Sequence, residues 1–408
     1  MSCCILLYFL LFINKVPRPR IRQRRRIPPC DPLAPLTPSD FPPLPRPLPL
    51  PAGRAAYITV ITADHFHDFL KNWPSQERHL FQPWDSHLIL VVPEGNEAPI
   101  AVAIARTLRW KRLASLTAAQ RTFPCEGAVD SMEEAALSGW YRTPRAVTVA
   151  VIVRRFRLPL HLQNATYAQL APPCGPLRCC VPGSAPLRQY EVAMLKTWAL
   201  INTAFVHHAL VDMGLLDAYD YLFKLDADIK MHRTPPFSPA DYMRARGCAF
   251  LHTRHLEVPR ENAHCWQSLV NATFRFAALH GMQPRSSARG WCRDPRLYLY
   301  GNFLGFWRPF VRAPAQRALS RWLYDNDPKY FNYADQGAVL AYLCMWYEVA
   351  ELDELQVNAS ADSVVCSLSA WRGDQGYGLP SEKVFSHAGE LYNDIGQEPD
   401  RNSEFENL

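Results

Sequence analysis

Tyr219-Asp-Tyr-Leu-Phe-Lys-Leu-Asp226-Ala-Asp228-Ile-Lys230 is the stretch on which the fold and the chemistry turn. Tyr221–Leu225 is a short apolar run of strand length, and two carboxylates one residue apart follow at its C-terminal end. In open α/β sheets ligands bind outside the carboxyl ends of the strands, so Asp226 and Asp228 fall where a ligand is expected. Paired carboxylate oxygens suit a hard divalent cation, Mn²⁺ or Mg²⁺. Such an ion can bridge a pyrophosphate and neutralise its charge as it leaves. An ordinary polar turn is the plain alternative for a bare D-x-D, and the apolar strand before it is what favours the metal.

Upstream, residues 191–216 place Met194, Leu195, Trp198, Ile201 and Phe205 at helical spacing before Gly214. Tyr57–Thr62, His87–Val92 and Arg145–Phe156 read as strands, the first followed by a helical stretch over 64–72. Continuous apolar strands alternating with helices predict parallel strands covered on both faces. The expected class is α/β, with a mostly parallel central sheet, flanking helices and a Rossmann-like nucleotide-binding half. Residues 171–188, rich in proline and cysteine, read as a loop.

The charge balance excludes one large class of partner. The 408 residues sum to +6, but residues 1–26 hold seven basic groups and no acid. Residues 27–408 therefore carry 37 basic against 38 acidic groups, a balance of −1. A near-neutral body offers no electrostatic footprint for nucleic acid.

The 12 cysteines contain no C-x-x-C pair, so disulfides in an oxidising lumen fit better than a zinc site. Asn164-Ala-Thr, Asn271-Ala-Thr and Asn358-Ala-Ser are glycosylation sequons and point to the same compartment. Cys3–Ile13 is an apolar run of 11 residues, short for a spanning helix and without the basic flank of a signal peptide. The arginines behind it would hold the following chain on the cytoplasmic side, against a luminal body. Residues 28–53 contain 11 prolines and read as an extended spacer or a disordered tail. The expected organisation is an anchor or signal segment over 1–16, a basic, proline-rich stem over 17–54, a catalytic domain over 55–395 and a polar tail over 396–408. The expected setting is the ER or Golgi membrane, in type II orientation with the catalytic domain in the lumen.

Four segments carry a family resemblance: YDYLFKLDAD (219–228), YGNFLGFWRP (300–309), YFNYADQGAV (330–339) and FSHAG (385–389). In this order they resemble the GT-A nucleotide-sugar glycosyltransferases, and more closely the fungal α-1,2-mannosyltransferases of glycosyltransferase family 15, over roughly 190–390. The resemblance implies a GT-A fold and transfer of mannose from GDP-mannose to a glycan or glycoprotein hydroxyl with Mn²⁺. It places Asp226, Asp228 and His387 on the metal, Asp226 also facing the donor, and Asn302 on the donor sugar. Trp307 would stack on the donor, or belong to the core. Asp335 would contact the sugar or act on the acceptor hydroxyl, or cap the helix after it. Lys196 or Arg188 would neutralise donor phosphates.

The sequence departs from that family at one place. Asn302-Phe303 runs directly into Leu304-Gly305-Phe306-Trp307, without the glutamate that the family carries there. The retaining mechanism and the mannose preference depend on what replaces it, and Asp335, Glu257 and Asp294 are the acids available. Two other readings stand beside this one. A haloacid-dehalogenase phosphatase would use the first aspartate as nucleophile, but its motif opens a domain. A non-catalytic, lectin-like secretory glycoprotein would keep the fold without turnover.

Overall fold

The structure is a computed structural model, and it describes residues 31–40, 50, 52–124, 136–156, 197, 200–252, 255–257, 264–281, 297–299, 303–326, 365–367 and 385–387. Among these the strands are β1 (Ala55–Val60), β2 (His87–Pro93), β3 (Lys111–Ala114), β4 (Gly139–Arg142), β5 (Thr148–Arg154), β6 (Tyr221–Leu225) and β7 (Ile229–Met231). After them come β8 (Phe250–His252), β9 (His255–Glu257), β10 (Leu297–Leu299), β11 (Phe303–Trp307), β12 (Val365–Ser367) and β13 (Phe385–His387). The helices are α1 (Phe66–Gln76), α2 (Glu97–Ala103), α3 (Pro239–Arg246), α4 (His264–Leu279), α5 (Arg308–Val311) and α6 (Pro314–Asn326). A π-wound segment, Ala204–Leu210, lies within a helix over 200–212.

Nine strands form one sheet in the order β12-β8-β11-β6-β1-β2-β5-β4-β3. Its centre, β6-β1-β2-β5, is parallel throughout. Strand β11 runs antiparallel to both β6 and β8, and β4 runs antiparallel to β5. The expected α/β class and mostly parallel centre are therefore present. Strands β1, β6 and β11 are buried at every residue, which is why their sequences run apolar without alternation.

The two faces of the centre are packed differently. Tyr57 stacks on Phe223 at 4.8 Å between ring centroids and meets Phe81 edge-on at 5.2 Å. Gly305 of β11 lies over this cluster: a Cβ there would come within 2.7 Å of the Phe223 ring, so only glycine lets β11 close on β6. On the other face Phe205 of the π-segment packs 6.4 Å from Phe306, with the Lys224 amine 5.8 Å from its own ring.

Boundaries differ from the sequence expectation where turns intervene. Arg145 and Ala146 were expected in a strand, but Ala146 has φ +64 inside a turn closed by Thr143 N–H donating to the Val147 carbonyl at 3.0 Å. Strand β5 therefore begins at Thr148. Helix α1 runs on to Gln76 through Pro74 and continues as a π-turn to Phe81.

Part of the proline-rich segment lies against the body. Leu50 is buried and its N–H donates to the Arg244 carbonyl at 3.1 Å, while Leu36 packs on the core and the Pro32 carbonyl pairs with His280 Nε2 at 2.8 Å. Among the described residues no helix is long and apolar enough to cross a membrane; residues 1–16 lie outside them.

Two outcomes follow from this packing. Leu50→Ala should cost about 2 kcal/mol of stability by chemical denaturation, and an unchanged midpoint would mean that the segment contributes nothing to the body. His207 is buried with Nδ1 2.8 Å from Ser320 Oγ, and burial, then the neighbouring His208 and Arg321, push its pKa well below the usual value. A base depressed in the fold is neutral there and takes up its proton on unfolding. Its contribution is complete above an unfolded pKa of about 6.5 and lost as pH falls below it. Thermal unfolding between pH 7 and 5 should therefore fall steeply in the wild type and less steeply in His207→Asn.

Candidate functional site

The strand order fixes where a site forms. From β1 the chain passes to β2 and outward to β5, then crosses back to place β6 on the other side of β1. The reversal leaves a crevice between the carboxyl ends of β1 and β6. Thr62 and Ala63 leave β1 on one side of it, and Asp226 leaves β6 on the other.

The Asp226–Asp228 turn is pinned at both ends. Before it, Thr59 Oγ1 of β1 donates to the Leu225 carbonyl at 2.8 Å, fixing where the chain leaves the sheet. After it, the buried Gln76 side chain donates to the Ile229 carbonyl at 2.7 Å, and Ser75 Oγ accepts from Met231 N–H at 3.1 Å. Ile229 N–H bonds back to the Asp226 carbonyl at 3.3 Å, closing the turn between them. Strand β7 is thereby held on α1, and β13 pairs antiparallel to it with His387 opposite Ile229. The register thus brings His387 beside the residue that follows Asp228.

Lys224 gives the turn its electrostatics. This lysine is the fourth of five residues in an otherwise apolar strand, its side chain 6% exposed, and its Nζ is 2.7 Å from Asp226 Oδ1, a carboxylate 29% exposed. Desolvating an ammonium is costly unless it is paired, so the aspartate is what lets Lys224 reside in the sheet. In return one Asp226 oxygen is anchored and its carboxylate kept at the crevice.

Loops from the neighbouring strands complete the rim. Asn96 Oδ1 accepts from Ala63 N–H at 2.9 Å, tying the loop after β2 to the loop after β1. Thr62 Oγ1 lies 3.1 Å from His65 Nδ1, and Glu94 N–H donates to the Arg154 carbonyl at 2.8 Å. Arg155 pairs with Glu94, while Arg154 lies 3.7 Å over the Phe123 ring. The rim therefore offers hydroxyl, imidazole, amide and guanidinium groups along the ends of β1, β2 and β5, with the two carboxylates at β6.

The expected site residues divide into three groups. Asp226 and Asp228 share the turn, and the backbone of His387 lies next to it. Of the two readings of Trp307, the geometry favours the core: it pairs with Tyr221 at the far end of β6, while Phe303 pairs with Leu225 at the crevice end. Four residues of strand separate them, about 13 Å, and the indole is buried in the core. Lys196, Asn302 and Asp335 lie outside the described residues, as do Arg188 and Asp294. Among the described side chains no group of three His, Cys, Asp or Glu is placed to hold a metal; the His387 side chain is not one of them. His207 and His208, adjacent in sequence, are both buried in the core.

Reading the sequence alone passed over Lys224, Thr59, Gln76 and Asn96. Lys224 had a visible signal, a lone cation inside an apolar strand two residues before Asp226. The other three are ordinary polar residues whose partners lie 166, 153 and 33 residues away in the chain.

No family model and no curated protein sequence matches this chain. Solved structures do. The mannosyltransferase Ktr4p from S. cerevisiae in complex with GDP is similar at 11% identity over 78% of this chain and 73% of that one, with a TM-score of 0.48. Core-mannan synthase A from Aspergillus fumigatus in its Mn/GDP form is similar at 12% identity over 79% of this chain and 80% of that one, with a TM-score of 0.45. Mouse xyloside xylosyltransferase 1 is similar at 9% identity over 74% and 82%, with a TM-score of 0.27. At these scores the likeness is one of general outline.

Proposed function

We propose that this protein is a metal-dependent glycosyltransferase of the GT-A type. It moves a sugar from a nucleoside diphosphate sugar, GDP-mannose being favoured, to a hydroxyl of a glycan or glycoprotein. One observation carries the reading: the paired carboxylates Asp226 and Asp228 stand at the topological switch point, on a turn pinned by Thr59 and Gln76. The resemblance of the four sequence segments supplies the sugar and the family, and the departure after Asn302 leaves the sugar to experiment.

The donor set fits a hard cation. Two carboxylates and a histidine are ligands that Mn²⁺ accepts, and Mg²⁺ can take the carboxylates. Asp226, Asp228 and His387 would hold the ion. Bound there, it would offset the charge that gathers on a departing nucleoside diphosphate. This chain's own groups do the rest. Lys224 holds Asp226 at the crevice, and the rim from Thr62 to His65 and from Glu94 to Asn96 receives the nucleotide. Lys196 would add a positive charge beside the phosphates, Asn302 would orient the sugar, and Asp335 would take the proton of the attacking hydroxyl.

The domain organisation belongs to the same proposal: an anchor or signal segment over 1–16, a stem over 17–54, the catalytic domain over 55–395 and a polar tail over 396–408. The proposed setting is the ER or Golgi membrane, with the catalytic domain in the lumen. The sequons and the spread of cysteines support it, as does Cys248, which is buried and disulfide-bonded.

The test uses the full chain from a secretory host with Mn²⁺ and a panel of nucleotide sugars and acceptors, following release of nucleoside diphosphate. Turnover with one donor is expected, and Asp228→Ala should lower it by about 100-fold or more, as removal of an electrostatic stabiliser does. A folded protein that binds neither Mn²⁺ nor any nucleotide would overturn the proposal. One that binds both without turnover on any acceptor would be the lectin-like alternative.

A second outcome concerns Lys224. Lys224→Met keeps the length of the side chain and suits an apolar sheet, so the fold should survive. Asp226 loses its anchor, and activity or metal affinity should drop by about 10- to 100-fold, the usual effect of removing a group that orients a ligand. A Mn²⁺ titration of turnover reads this directly; a curve identical to wild type would make the ion pair purely structural.

A further inference from the structure

We infer that Asn271 is an N-glycosylated residue, and that its glycan is added before helix α4 forms. This rests on the luminal part of the proposal above and is independent of the transferase activity.

The sequon Asn271-Ala272-Thr273 falls inside α4, His264–Leu279. Asn271, Arg275 and Ala278 are exposed, whereas Ala272, Thr273, Phe276 and Ala277 are buried. The spacing of four and three residues makes the first set the outer face of the helix. The inner face packs on α6, where Trp322 Nε1 donates to the Ala272 carbonyl at 2.9 Å and the Phe276 ring lies 6.3 Å from Trp322. A glycan on the Asn271 amide therefore projects into solvent and leaves this packing intact. Neither of the other two sequons lies among the described residues, so Asn271 is the acceptor for which a location can be argued. The disulfide at Cys248 fits the oxidising compartment in which such glycans are added.

Timing follows from Thr273. The hydroxyl that completes the sequon belongs to a residue only 3% exposed, and the three residues sit within a continuous helix. A transferase that must engage both the amide and the hydroxyl reaches them only in the unfolded chain. The step joins Asn271 Nδ2 to C1 of a lipid-pyrophosphate-linked oligosaccharide. The C1–O bond breaks, the lipid pyrophosphate leaves with the bonding pair, and one Nδ2 proton passes to a base.

The full chain, placed behind a cleavable secretory leader, is translated with ER-derived microsomes. The protease-protected fraction is then deglycosylated enzymatically in ¹⁸O water. Conversion of Asn271 to ¹⁸O-labelled aspartate by peptide mass is expected, with Asn271→Gln losing one step of the glycan ladder. An unmodified Asn271 peptide in the protected chain would overturn the inference; because occupancy is read on the wild type, misfolding of the variant does not change that result. Folded chain from a non-glycosylating host should stay unmodified when added to the same transferase, and modification there would overturn the timing. The native chain without the leader tests the compartment separately: no glycan at Asn164, Asn271 or Asn358 would contradict luminal targeting and leave the leader-directed result standing.

Discussion

Strand β6 must pair with a parallel neighbour and an antiparallel one while carrying a lysine through the centre of the sheet. Both of its neighbours are buried along their length, and the Lys224 side chain itself is only 6% exposed. Its pairing with Asp226 at 2.7 Å resolves that conflict. The same contact ties the position of the first carboxylate to the integrity of the strand. Stability and site geometry are thus secured by one ion pair.

The turn beyond β6 depends on distant parts of the chain. Thr59 comes from the first strand and Gln76 from the helix that follows it, each about 150 residues or more before its partner carbonyl. Their hydrogen bonds hold a backbone segment that would otherwise be a solvated loop. Carboxylates on a turn held in this way need little rearrangement to receive a cation, which is what the proposed function requires. The π-wound segment Ala204–Leu210 contributes from the opposite face by setting Phe205 against Phe306 and near Lys224. Wide turns of this sort occur in helices near functional sites.

Legibility in the sequence follows the range of the forces involved. Strand β6 was readable to its ends, because five buried residues between turn formers leave no other assignment. The start of β5 was misread, because Ala146 adopts a left-handed conformation that nothing in RAVTV announces. Trp307 stayed open between donor and core for a related reason. Its chemistry suits a sugar face, but a strand five residues long has two ends, and only the register with Tyr221 shows which end it occupies. His387 shows the converse. From spacing alone it is a lone histidine 159 positions after Asp228, and the β7–β13 pairing sets its backbone opposite Ile229, the residue that follows Asp228.

The proline-rich segment bears on what a spacer can be. A proline-rich chain has less conformational entropy to lose than an ordinary one, so a few contacts go far toward seating it on a surface. Leu50 in the core, Leu36 against it and the Pro32 carbonyl on His280 provide three such contacts, spread over α3, the core and the end of α4. Residues 31–40 and 50 are therefore attached to the body.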